Sequence, residues 1–264
     1  MALTAEEAHG AAELLEADWT PPVLLPRQGV AERWGVRAGR GHPVLTFLGA
    51  MLASLALIST LSIALGFLVT RVILHIGGVA GWDEHVNVWL AGHRTPLRTH
   101  VSLIGSMVSG GVVLPIVAGL TALVCAALRK WRVAAFLVFV LAVESASYRI
   151  TTLAIHRHRP YVVRLENLPV NASYPSGHTA ASIAVYCGLA LLLSSLIRNL
   201  AFRVTVWAVA LLIVALDASS RLYRGMHHPT DVAGGIVVGV TTVCALVLAC
   251  RASGAAAEQG KADG

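Results

Sequence analysis

Four long runs without Asp, Glu, Lys or Arg punctuate the chain, at 41–70, 99–128, 167–197 and 232–250. Each can hold the ~20 apolar residues a helix needs to cross the ~30 Å hydrocarbon core of a bilayer. Two further apolar stretches are interrupted by charge: 133–155 contains Glu144 and Arg149, and 203–220 contains Asp217. Counting both predicts six spanning helices with the two ends of the chain on one side. Residues 1–18 instead scatter Glu6, Glu7, Glu13, Glu16 and Asp18 among alanines, and Thr4 stands three before Glu7 as in a capping box, so a short soluble helix is expected there. Pro21, Pro22 and Pro26 then break the chain, and Arg27, Arg33, Arg37 and Arg40 precede the first apolar run. The expected organisation is a cytoplasmic N-terminal segment at 1–42, a six-span membrane domain at 43–250 and a disordered tail at 251–264.

The segment 71–100 carries Trp82, Trp89, Val86 and Leu90 at helical spacing, which predicts a helix lying in the membrane interface. His75, His85, His93 and His100 lack the spacing of a helical metal pair and are read as interfacial. Gly235 and Gly239 predict close helix packing, while Gly105, Gly110, Gly111 and Pro115 mark a kinked second span.

Composition agrees with a membrane chain: 264 residues are 56% hydrophobic and 13% charged, about half the charge of a soluble domain. No room remains for a second globular domain. Eighteen of the twenty cations are Arg, without a basic tract, which argues against nucleic acid as a partner. The Ala- and Arg-rich, Lys-poor composition suggests a bacterial source, hence the plasma membrane. The four cysteines form no Cys-x-x-Cys pair, so neither zinc nor a disulfide framework is indicated. Placing the N-terminus inside puts eleven of the twenty cations in cytoplasmic segments, the orientation favoured by cation retention.

The remaining connections are dense in His, Arg and Asp. One holds His156-Arg157-His158-Arg159-Pro160 and ends in Pro175-Ser176-Gly177-His178; another runs from Ser220-Arg221 through His227-His228 to Asp231. By parity both open on the same face. Arg159 and Arg221 offer charged, planar donor forks suited to phosphate. Ser176 adds a hydroxyl, and Gly177 allows a backbone N–H to approach, completing the parts of an oxyanion cradle. Asp231, four residues after His227, is expected to accept Nδ1–H and leave Nε2 free to attack phosphorus. His178 is then available as general acid and base. Nothing in this scheme requires a metal or cofactor. Asp217, four residues before Arg221, is read either as an ion-pair partner that aims it or as a polar residue hydrated near the interface.

These residues resemble the signature of the type 2 phosphatidic acid phosphatase (PAP2) superfamily: Lys-x6-Arg-Pro, Pro-Ser-Gly-His and Ser-Arg-x5-His-x3-Asp. The second part is present at 175–178 and the third at Ser220, Arg221, His227 and Asp231. The first is partial, since Arg159-Pro160 is present but Thr152 stands where the family has Lys. The resemblance implies an all-α, six-transmembrane-helix bundle with a PAP2-like, chloroperoxidase-type helical core. It further implies a lipid phosphatase working on the extracytoplasmic face through a phosphohistidine on His227, with Asp231 as orienter and His178 as acid and base. Arg159, Arg221, Ser176 and Gly177 would bind the phosphoryl oxygens of a lipid phosphate or diphosphate. Arg149, one helical turn before Thr152, and Arg157 are the two candidates for the missing Lys contact. A transferase handing the phosphoryl group to an alcohol is the alternative on the same scaffold, and a transporter lined by intramembrane charges is a third reading. Neither the lipid nor the oligomeric state is legible in these residues.

Overall fold

The computed structural model describes residues 20–39 and 42–262, and every regular element among them is helical. The helix expected within 1–18, and Arg40, lie outside the described residues. Six helical segments are long and apolar enough to cross a membrane. They are α2 (Pro43–Arg71), a broken pair α4 (Pro96–Val108) and α5 (Val113–Ala127), α6 (Trp131–Ala154), α7 (Gly177–Leu196), α8 (Leu200–Tyr223) and α9 (Pro229–Ala262). Before them comes the short α1 (Val30–Gly39), and between α2 and α4 lies α3 (Val79–Gly92). The break between α4 and α5 falls at Gly110 and Gly111, where the kink was expected.

Starts are set by local chemistry. Proline occupies the first helical position of α2, α4 and α9, where its missing N–H costs nothing. Asn199 caps α8 by accepting from Phe202 N at 3.1 Å, and Thr95 caps α4 by accepting from Arg98 N at 3.3 Å. The core runs through the bundle axis: Phe136, Leu137 and Val140 of α6 meet Ile58 of α2, Ala180 and Ala184 of α7, and Val238 and Leu246 of α9. Outward, Leu52, Leu57, Leu120, Leu123, Leu211 and Leu212 are exposed. Such a girdle would be an aggregation hazard in water and suits contact with lipid tails. The protein is an integral membrane protein.

α7 and α9 lie at the centre, and Gly235 and Gly239 let them touch. A Cβ at Gly235 would stand 2.5 Å from Ser176 O, and one at Gly239 would stand 2.7 Å from Ala180 O. This contact brings the start of α7 against the start of α9, where Ser176 N donates to Asp231 O at 3.0 Å.

The fourth span begins at Gly177, at the Pro-Ser-Gly-His stretch expected to stand at its mouth, and the irregular stretch before it spends its carbonyls on arginine: Pro169 O and Ala172 O accept from Arg159 side-chain nitrogens at 2.8 and 2.9 Å. One expectation needs correction. The tail expected to be disordered from 251 is helical to Ala262. Its small residues Ala252, Gly254, Ala255 and Ala256 are buried, Gly35 of α1 sits on the Ala252 backbone, and Arg251 Nε donates to Val23 O at 2.9 Å. Small side chains that carry little hydrophobic signal in sequence supply this packing.

Candidate active site

The connections from α6 to α7 and from α8 to α9 converge at one end of the bundle, as span parity requires. The second is a tight turn: Gly225 has φ +70°, a conformation that side chains with a Cβ rarely adopt. The His-x3-Asp spacing then has a local cause. His228 is the residue before α9 and Asp231 the third helical residue. Asp231 Oδ2 accepts the His228 N–H at 2.8 Å, the reciprocal half of a capping box, with its charge at the positive end of the helix.

His227 is buried, and its Nδ1 lies 2.7 Å from Ser173 O but 3.9 Å from Asp231 Oδ2. The bond expected to Asp231 therefore goes to a backbone carbonyl, and Asp231 instead accepts from Ser173 Oγ at 2.6 Å. The tautomer is the one anticipated, because a carbonyl accepts only and so places the proton on Nδ1. Nε2 is left facing Arg159 Nη1 at 3.5 Å. Burial, reinforced by Arg159 and Arg221, pushes the His227 imidazole well below the ordinary histidine range. We expect histidine-resolved 15N NMR in detergent, assigned by difference with His227→Asn, to find it neutral and Nδ1-protonated at pH 6.5 and to detect protonation only below that. An imidazolium at pH 6.5 would contradict this placement.

His227 shares a cavity of about 670 Å³ with His178, Arg159, Gly177, Arg149 and Thr152. Arg159 is held by Pro169 O, Ala172 O and Met226 O, so one guanidinium ties both loops together beside His227. Ser176 and Arg221 stand behind the cavity wall. Ser176 Oγ is 3.0 Å from Thr179 Oγ1. Arg221 Nη1 donates to Ser106 Oγ at 2.6 Å and to both Glu166 oxygens at 2.8 and 2.9 Å, while its Nε and Nη2 are buried without partners. Asp217 forms no ion pair with Arg221; Glu166 has that place. Burial alone would raise the Glu166 carboxyl, but Arg221 and Arg224 outweigh it and hold the group down at about 2.

The two candidates for the missing Lys separate. Arg157 does not line the cavity: it bridges Asp83 of α3 and Asp231 of α9 and donates to Thr230 Oγ1 at 2.7 Å. Arg149 lines the cavity, and Thr152 spends its hydroxyl on Arg149 O at 2.9 Å. Arg149→Ala is expected to lower kcat/KM for a lipid phosphate ~10–100-fold, the size of one charge-assisted hydrogen bond, and Thr152→Ala to stay within ~3-fold. Equal small effects in the phosphate-release assay would remove Arg149 from the site.

Residues 133–254 match the model of the PAP2 superfamily. The matched stretch is a little under half of the chain. That stretch contains every site residue anticipated from sequence. A 65-residue stretch is 43% identical to a lipid A 4'-phosphatase of Porphyromonas gingivalis, covering 25% of this chain and 24% of the relative, so the match spans about a quarter of that protein's length. The fold resembles a transmembrane PAP2-type phosphatidylglycerolphosphate phosphatase of Bacillus subtilis, with TM-score 0.58 and 24% identity over 77% of this chain and 93% of that one. This likeness establishes the six-helix PAP2 fold.

Outside the matched stretch, α3 supplies a brace that the residue pattern did not reveal. Its tryptophans are exposed as an interfacial helix requires, but Asp83 and Asn87, one turn apart, are buried on the opposite side. Asp83 accepts from Thr230 N at 3.0 Å, and Asn87 Nδ2 donates to Leu222 O and His227 O at 2.9 Å each. Glu84 reaches His228 Nε2 at 3.0 Å and accepts Tyr161 N at 2.8 Å, so His228 is a strut between α3 and Asp231 as well as a helix-entry residue. The i, i+4 pair Asp83 and Asn87 opposite two tryptophans was the available signal. Among the described residues, no group of three or more His, Cys, Asp or Glu side chains is placed to hold a metal ion.

Proposed function

We propose that this protein is a metal-independent membrane lipid phosphatase that removes phosphate from a phosphate monoester or diphosphate of a phospholipid or polyprenyl lipid. The observation that carries the reading is His227, its Nδ1 bonded to a carbonyl and its unprotonated Nε2 turned toward Arg159 Nη1 at 3.5 Å, in a cavity shared with His178 and Arg159. Nε2 attacks phosphorus, an N–P bond forms, and the P–O bond to the lipid breaks as His178 protonates the leaving oxygen. His178 then takes a proton from water, whose oxygen attacks phosphorus and breaks the N–P bond, releasing inorganic phosphate. Arg159 and the Gly177 N–H, which line the cavity, stabilise the charge on the transferring group, and the buried Arg221 adds its positive charge from behind the wall. Asp231 acts through the loop, holding Ser173 and His228 so that the Ser173 carbonyl aims the imidazole.

The relatives' names, a lipid A 4'-phosphatase and a phosphatidylglycerolphosphate phosphatase, support a lipid phosphate as substrate. The cation distribution supports an extracytoplasmic site on a bacterial plasma membrane. The test is a phosphate-release panel in detergent over phosphatidic acid, phosphatidylglycerophosphate and polyprenyl mono- and diphosphates, with chelator present. Release from at least one of them is expected; transfer to an added alcohol without phosphate release would instead indicate a transferase.

A further inference from the structure

The cavity is far larger than a phosphoryl group, and most of it lies away from His227. Its wall on α6 carries a polar stripe at helical spacing, Glu144, Ser145, Tyr148, Arg149 and Thr152, with apolar Leu141 beside it on the same helix and Leu114 of α5 also in the lining. Arg149 and Thr152 stand at the reacting end. Glu144 is eight residues deeper, about 12 Å along the helix at 1.5 Å per residue. It is 2% exposed; Oε2 accepts from Ser145 Oγ at 3.3 Å, and Oε1 has no hydrogen-bond partner. An acceptor with no donor inside a spanning helix is destabilising unless something in the cavity supplies one. The hydrolytic scheme makes no use of Glu144.

We propose that Glu144, with Ser145 and Tyr148 beside it, is a subsite for a hydrogen-bond donor in the neck of the substrate lipid, a hydroxyl or amide N–H about 8–12 Å from the phosphorus. The subsite rests on the reading of the cavity as a lipid-phosphate site and narrows its substrate class. Lipid phosphates bearing such a donor are selected over those whose first carbons carry only esters and methylenes. Phosphatidic acid with 3-hydroxyacyl chains meets the requirement: its hydroxyl lies about eight bonds from phosphorus, roughly 10 Å in an extended chain. The same lipid with plain acyl chains does not.

Binding of this matched pair is measured by native mass spectrometry in a His227→Asn background, which removes turnover, alongside phosphate release by the unmodified protein. The hydroxylated lipid is expected to bind about tenfold more tightly. Glu144→Gln, which keeps an acceptor, retains the preference; Glu144→Leu abolishes it by weakening the hydroxylated lipid alone. Equal affinities in the His227→Asn protein overturn the subsite without need of a further variant, as does an unchanged preference in Glu144→Leu. Selective binding with no phosphate release by the unmodified protein would overturn the phosphatase reading and leave the subsite standing.

Discussion

His227→Ala is expected to lower lipid phosphate release by about 10⁴-fold or more, with a modest loss of stability. In the proposed mechanism the variant loses the attacking imidazole, and enzymes that lose their nucleophile keep just the residual catalysis of their oxyanion donors. At ~1.4 kcal/mol per tenfold, that corresponds to roughly 5–6 kcal/mol of barrier. The folding cost is modest, about 1–3 kcal/mol, since the imidazole gives up its hydrogen bond to Ser173 O and a long one from Arg159 Nη1. Phosphate release and thermal unfolding in the same detergent check both halves. Activity within tenfold of the unmodified protein would show that another group attacks phosphorus.

Arg157→Ala should act on the fold first. Arg157 is buried and bridges Asp83 and Asp231, themselves buried. Removing it strands two carboxylates, a loss of about 3–5 kcal/mol for a broken buried pair, or an apparent melting shift on the order of 10 °C. Activity falls with it through kcat, because Asp231 holds Ser173 and Ser173 holds His227. Adding Asp83→Asn removes one stranded charge and should restore part of the melting temperature. A normal melting temperature with a raised KM would return Arg157 to the phosphate-binding residues. Scanning fluorimetry with steady-state kinetics on the single and double variants separates the two.

The contrast between Arg157 and Arg149 shows where sequence reading stops. Both are arginines near the position where the family has Lys, and in sequence they are chemically equivalent candidates. The fold separates them: Arg149, on α6, faces the cavity, and Arg157, past the helix end, faces two carboxylates of other elements. Charge-free runs made the spans legible, since a bilayer excludes ionised groups over ~20 residues, and parity then placed both His-bearing loops on one side. Backbone partners leave no trace in side-chain spacing, so the Ser173 carbonyl was hidden behind the more visible Asp231. Glu166 belongs to no motif, yet it pairs with both Arg221 and Arg224. Asp83 and Asn87 were masked by the tryptophans that mark α3 as interfacial. The order of the last helix beyond 250 depends on alanines and glycines packing against α1, a contact that only the tertiary arrangement reveals.

Both the cavity and the loop network converge on a single atom, Nε2 of His227. Rapid acid-free quenching of the protein with a 32P-labelled lipid phosphate, followed by peptide mapping, tests that convergence most directly. Label stable to alkali, lost in acid and confined to the peptide containing His227 is the predicted result. Turnover at full rate with no label on that peptide, or with label on another residue, would contradict it.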